Sequence, residues 1–319
     1  MRTKYLIIGT GGVGGSIAGF LGLAGKDVTC IARGAHLEAI QKRGLHLVSD
    51  IKGEHTVPVK ACTEAEYTDK ADIILVCVKG YSIDSVSDFI RKAAHSETLV
   101  IPILNGYGTG DKLEQRTGLK NILDGCIYIV GFISGAGEIT QMGKVFRLIF
   151  GTRTGQTIPA ERLQAIQNDW QESGIRTIIS DDIRRDTFIK WAFISAMACT
   201  GAYYNVPMGA LQSPGPERDT FAGLSDESTK IGRKLGIAIS DNQTEKNLQI
   251  IDALAPESTA SMQKDLEKGR QTEINNLLFN MIEWAEKAGV AVPVYQKVAS
   301  KFRIEYAATT IPCFRSKVL

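Results

Sequence analysis

Histidine is scarce in this chain and is confined to its first third. The four are His36, His46, His55 and His95, and none follows. A histidine-based triad or a His-rich metal site built from the second half is therefore excluded. Any proton donor there must be Lys, Tyr, Asp, Glu or Cys. Cysteine is thin as well. Cys30, Cys62, Cys77, Cys126, Cys199 and Cys313 include no C-x-x-C pair, and most lie in apolar runs. Buried free thiols in a reducing compartment are expected. No excess of one charge exists, since 37 basic residues face 35 acidic ones for a net +2. With no Lys/Arg block either, nucleic acid is not an expected partner. The N-terminal apolar run in MRTKYLIIGTGGVGG is cut short by glycines, too short and too early for a signal peptide or a membrane span. The expectation is a cytoplasmic protein with no membrane partner. Internal repeats and low-complexity linkers are absent too.

What is present is an ordinary balance of 44% hydrophobic and 23% charged residues over 319 positions, enough for two domains and a large core. The first half alternates strand and helix patterns. KYLIIG (4–9), DVTCIA (27–32), DIILVCVK (72–79) and TLVIPILN (98–105) read as strands, with helical stretches at 13–24, 35–42 and 82–94. LHLV (45–48) and HTVPVK (55–60) read as a polar-edged strand pair. Strands are expected again at 125–132, 145–151 and 175–180, and a helix near 160–172. Such alternation predicts a mostly parallel sheet with helices on both faces. After Ser180 only helical patterns remain, at 184–204, 216–236, 243–253, 261–287 and 294–307. The fold class expected is an α/β domain with a mostly parallel sheet over 1–182 followed by an all-α domain over 183–319.

Gly9-Thr10-Gly11-Gly12-Val13-Gly14 fits G-x-G-x-x-G directly after a strand and at the start of a helix. Gly9 allows the tight turn, Gly11 lets the backbone approach a pyrophosphate, and Gly14 lets helix and strand pack. The N-terminus of the helix, from Gly12 and Val13, holds the anion. The second strand ends Cys30-Ile31-Ala32-Arg33-Gly34, without the carboxylate that would accept from a ribose 2′-OH. Arg33 instead suits a 2′-phosphate, and Lys79, at the end of DIILVCVK, can add charge nearby. The cofactor expected is therefore NADPH. Asn105, at the end of TLVIPILN, falls on the same ligand-binding edge; the alternative for it is a plain turn residue.

In the second half the stretch Phe188–Cys199 is almost wholly apolar, with Lys190 its only charge and Ser195 its only other clearly polar side chain. A lysine there either snorkels to water or is a desolvated proton donor. Further along, SMQKDLEKGRQTEINN (261–276) gathers Ser261, Asp265, Arg270, Thr272 and Glu273. Glu273 precedes an apolar helical run and can face inward; the commoner fate of a glutamate is a solvated surface.

Taken together, GTGGVG, Arg33, VKGYS around Lys79, LNGYG around Asn105, Lys190 and SMQKDLEKGRQTEINN give a sequence that resembles the ketopantoate reductases (2-dehydropantoate 2-reductases) over essentially its whole length. The resemblance implies a Rossmann domain and a helical domain with the active site in the cleft. It implies Lys190 as the general acid for the ketone oxygen, and Glu273 as a catalytic residue that hydrogen-bonds and orients the substrate. Asn105 would place nicotinamide and substrate, and Ser261 would bind on the substrate side. The implied reaction is NADPH-dependent reduction of ketopantoate to pantoate, in pantothenate and coenzyme A synthesis. A homodimer is left open. In one respect the chain departs from the family pattern. Asparagines four and eight residues after the lysine, on its face of the helix, are replaced by Ile194 and Ala198. That makes the pocket less polar and keeps two other readings open: a reductase of a more apolar 2-oxoacid, or an NADPH-binding sensor without turnover. Ser261 and Glu273 also lie twelve residues apart, roughly 18 Å along a straight helix, so a break near Gly269 is expected.

Overall fold

The structure, a computed structural model, describes residues 2–309, with side chains described through Phe302. Cys313 lies outside the described residues. The chain forms two units that divide between Thr187 and Phe188. The first runs β1 (Lys4–Ile8), α1 (Gly12–Leu23), β2 (Asp27–Ile31), α2 (Gly34–Arg43), β3 (Leu45–Ser49), β4 (Gly53–Val57), β5 (Lys60–Cys62), β6 (Ala71–Val76), α3 (Ile83–Ala93), β7 (Ala94–Pro102), α4 (Thr109–Thr117), β8 (Asp124–Gly135), β9 (Glu138–Gly151), α5 (Ala160–Glu172) and β10 (Arg176–Ile179).

A parallel sheet of order β5-β2-β1-β6-β7 forms its centre. β1 is apolar at every position after Lys4 because both of its faces are covered. Tyr5 and Ile7 face one core with Ile17, Phe20 and Leu21 of α1. Leu6 and Ile8 face the other with Ile83, Val86, Phe89 and Ile90 of α3. Each such side chain, 0–1% exposed in β1, contributes about 1.5–3 kcal/mol of burial. The mostly parallel Rossmann-like sheet matches the expected fold class.

A second sheet runs β10-β9-β3-β4 with β8 on β9. The strands read as a pair at 45–48 and 55–60 do pair, as β3 and β4, antiparallel like β8 and β9. HTVPVK, however, is not one strand. Pro58 has no N–H to donate and ends β4 at Val57, so Lys60–Cys62 leaves to join β2 in the first sheet. The short helix α4 went unread in the sequence.

The second unit is helical: α6 (Ile183–Tyr204, begun in the first unit), α7 (Met208–Gln212), α8 (Pro216–Lys234), α9 (Gln243–Asp252), α10 (Ser261–Glu267), α11 (Asn280–Ala288) and α12 (Pro293–Thr309). The five-residue α7 was also unread. The long helix read at 261–287 is broken where Gly269 stands. Gly269 takes a φ of +60°, Arg270 N–H donates to Asp265 O at 2.8 Å, and Gly269 N–H to Leu266 O at 3.0 Å. That pair of bonds is a Schellman ending, which glycine adopts without the Cβ penalty. Helix resumes at Ile274, and Asn275–Phe279 is a π-helical turn in which Asn280 N–H bonds Asn275 O, five residues back.

Candidate active site

In the first unit, four loops follow the C-terminal ends of β2, β1, β6 and β7, which lie side by side. They carry Arg33, the glycine turn, Lys79 and Asn105 in that spatial order, across about 15 Å at the spacing of neighbouring strands. The chain moves from β1 to β2 on one side and later to β6 on the other, so the turn sits at the switch point where open sheets bind ligands. Thr10 fixes the turn to β2: its N–H and Oγ1–H both donate to Ile31 O, at 3.3 and 2.9 Å.

The turn's glycines have different neighbours. A Cβ on Gly14 would meet the Gly9 carbonyl, and one on Gly12 would run into the backbone of Gly131 in β8. Gly9 takes φ +96° beside Cys77 and Val78. Beside Gly11 the space is open, with nothing within 4 Å. Helix α1 has Gly11 as its N-cap, no side-chain cap and no acidic residue in its first turn. Its N-terminal N–H groups, with the positive end of the helix dipole, are available to an anion. Arg33 is exposed and is itself the N-cap of α2, whose first turn is also free of acid. These residues fit a dinucleotide: open backbone for the pyrophosphate, and a guanidinium beside a second helix N-terminus for the ribose end. Lys79 is half-buried ahead of the turn Gly80–Ser82.

Asn105 is half-buried in the loop between β7 and α4. Two neighbours the sequence did not signal hold that loop. Tyr107 OH accepts from Arg184 Nε at 3.0 Å. Asp124, the first residue of β8, accepts from Gly110 N–H at 3.0 Å, in the first turn of α4. Burial pushes the Asp124 carboxyl up to about 6, against the opposite pull of the Arg153 guanidinium. Arg153 in turn pairs with Glu114 and, at 3.1 Å, with Asp111.

In the second unit, Lys190 lies in α6 and is 5% exposed, so its tip does not snorkel into bulk water. Four and eight residues on, Ile194 is half-buried and Ala198 buried. Glu273 is 4% exposed and Thr272 8%, immediately before the π-helical turn. Ser261 opens α10 and is exposed, and the break at Gly269 separates it from Glu273. Glu273 and α6 are linked through the π-helical turn. Trp191 Nε1–H donates to Asn276 O at 2.9 Å, and Ser195 Oγ–H donates to Leu277 O. The one hint of this in the sequence was a serine alone among apolar residues.

No disulfide joins the described cysteines to one another. Cys30, Cys126 and Cys199 are buried, Cys62 and Cys77 half-buried, and burial raises the thiols of Cys30, Cys77 and Cys199 to about 12. A thiol held protonated in this way is a weak nucleophile. Among the described residues no cluster of three or more His, Cys, Asp or Glu is arranged to hold a metal ion, and no helix is long and apolar enough to cross a membrane.

A Rossmann sheet with an open glycine turn, joined to a helical unit with a buried lysine and glutamate, defines a nicotinamide-dinucleotide-dependent oxidoreductase. Residues 5–155 match the family described as ketopantoate reductase PanE/ApbA, and residues 182–304 match its C-terminal region. The chain belongs to the ketopantoate reductase family. It is 29% identical over 301 residues to the uncharacterized oxidoreductase YkpB of Bacillus subtilis (strain 168), covering 94% of this chain and 98% of that one. It is 28% identical over 327 residues to the 2-dehydropantoate 2-reductase of Mesorhizobium japonicum, covering 94% and 97%. Among solved structures, D-mandelate dehydrogenase with NADH and anilino(oxo)acetate shares its fold at a TM-score of 0.85 and 21% identity, covering 96% of this chain and 99% of that one.

Proposed function

We propose that this protein reduces a 2-oxoacid with NADPH, taking ketopantoate to pantoate, and that Lys190 is the general acid. The observation that carries the reading is a lysine 5% exposed within an apolar helix, in a chain whose second half has no histidine. Burying an ammonium is costly unless it is paired or hydrogen-bonded. NADPH, when bound, supplies the hydride for the carbonyl carbon. Gly9, Gly11, Gly12, Val13 and Gly14 hold its pyrophosphate, Arg33 and Lys79 its 2′-phosphate, and Asn105 orients its nicotinamide end. Lys190 gives a proton to the ketone oxygen as charge develops there and regains one from solvent, so that ketone becomes alcohol. Glu273 orients the substrate and balances the ammonium; Ser261 binds at the substrate's outer side. The absence of a carboxylate after β2 supports NADPH over NADH.

A second reading keeps this chemistry with a more apolar 2-oxoacid. Ile194 and Ala198 favour it, because a site without those amides no longer selects for a substrate hydroxyl. The fold shared with D-mandelate dehydrogenase is consistent with it. Oxidation of NADPH by purified protein, followed with ketopantoate and with branched and aromatic 2-oxoacids in parallel, separates the two by kcat/KM. Efficient turnover of ketopantoate supports the first reading, and at least a hundredfold preference for an apolar 2-oxoacid supports the second. NADPH binding without turnover of any of them contradicts both and leaves a sensor.

A further inference from the structure

Three donors from one helix meet two successive carbonyls of the π-helical turn. Trp191, Ser195 and Cys199 stand four residues apart on α6, a spacing that puts them on one face. Trp191 Nε1–H reaches Asn276 O at 2.9 Å, Ser195 Oγ–H reaches Leu277 O, and Cys199 Sγ lies 3.8 Å from that same oxygen. A π-helical turn holds one more residue than an α turn and shifts everything before it around the axis. Here the residues before it are Thr272, Glu273 and Ile274. Ser195 is 0% exposed, so it is not a surface hydroxyl that solvent could satisfy.

The proton inventory fixes direction. A serine hydroxyl has one proton, and Ser195 uses it on Leu277 O. The contact of 2.8 Å between Ser195 Oγ and Tyr295 OH therefore has the tyrosine as donor. Tyr295 is fully buried, and burial holds its phenol well above the usual range, so it stays protonated. Tyr295 is itself anchored. Glu227 of α8 accepts from Val294 N–H at 2.8 Å and from Tyr295 N–H at 3.0 Å, closing the N-terminus of α12. A relay of fixed groups thus runs Glu227, Tyr295, Ser195, Leu277 O, from α8 to the turn behind Glu273.

We infer that Ser195 and Trp191 are positioning residues for the reduction: they clamp the π-helical turn onto the helix that carries Lys190 and so set where the Glu273 carboxylate stands. This rests on the proposed role of Glu273. The lysine and the register of the glutamate are then built into one helix, with Lys190 next to Trp191.

The test is a pair of double-mutant cycles on the intact protein, Ser195→Ala with Glu273→Gln and Trp191→Phe with Glu273→Gln, assayed well below each variant's Tm. Trp191→Phe keeps a buried aromatic ring while removing the N–H donor together with part of the indole, so it serves if Ser195→Ala fails to fold. The expected result is a fall in kcat of about 10- to 100-fold in each single variant, the cost of a small misplacement. KM for NADPH stays unchanged, and no further fall appears in the Glu273→Gln background. Unchanged kcat in both variants, or losses that multiply with that of Glu273→Gln, overturns the inference. If wild-type protein turns over no 2-oxoacid, the functional reading fails first, and amide exchange over residues 273–279 decides the clamp. Faster exchange there in both variants upholds the clamp, and unchanged exchange removes it.

Discussion

Asp124→Asn should make this protein more stable at neutral pH. The carboxyl accepts from Gly110 N–H at the start of α4 and is held at about 6 by desolvation, against an ordinary value of 3.8. An acid raised in the folded state contributes most below its unfolded value, and that contribution is lost as pH rises through the folded one. Between pH 3.8 and about 6 the unfolded chain therefore ionises while the folded chain resists. The difference integrates to about 3 kcal/mol at pH 7.5 and about 1 kcal/mol at pH 4.5. Asparagine keeps the shape and an oxygen for Gly110, and Arg153 retains Glu114 and Asp111. At about 2–4 °C per kcal/mol, the Tm of Asp124→Asn should exceed that of wild type by about 6–12 °C at pH 7.5 and by about 2–4 °C at pH 4.5. Calorimetric melts of both proteins at the two pH values decide it. A lower Tm for the variant at pH 7.5, or a gain that does not shrink on acidification, would refute the reasoning: the carboxylate would then be stabilising α4 rather than suffering burial.

Other outcomes follow from the dinucleotide edge. Gly11→Ala should leave the melting curve intact, because its Cβ meets nothing in the protein, yet titration of NADPH should show binding lost, because the methyl takes the pyrophosphate's place. Gly12→Ala should lower the Tm itself, since its Cβ runs into the backbone of Gly131; an unchanged Tm would count against that packing. Arg33→Ala should raise KM for NADPH by about 10- to 100-fold, the worth of a charge-assisted pair, while KM for NADH stays put. Equal losses with both cofactors would place Arg33 elsewhere.

The Rossmann half of the fold was legible because β1, β6 and β7 are buried on both faces and write that burial as unbroken apolar runs. Glycines between strand and helix have few other uses, and the edge positions of Arg33, Lys79 and Asn105 followed from strand ends. The β8–β9 hairpin was harder. Its strands were read only in part, at 125–132 and 145–151, so the tight turn from Gly135 to Glu138 that pairs them antiparallel was missed, and Pro58 was the one local sign that 55–60 could not be a single strand. In the helical half, Gly269 announced its break, since a glycine in a polar run suits a left-handed ending. The π-helical turn gave no such sign: one inserted residue changes register without changing composition. Ser195 was conspicuous, yet its partner is a backbone carbonyl eighty-two residues away, which no local pattern encodes. Asp124 was equally silent, because its burial comes from Arg153 and α4 rather than from its neighbours in the chain.

The most direct test of the central claim is Lys190→Ala, with hydride transfer and NADPH affinity measured on the same sample against the 2-oxoacid that wild type turns over best. Loss of reduction with NADPH affinity within severalfold of wild type is the predicted result. Retention of most of the activity would contradict the account and leave the buried lysine a structural residue.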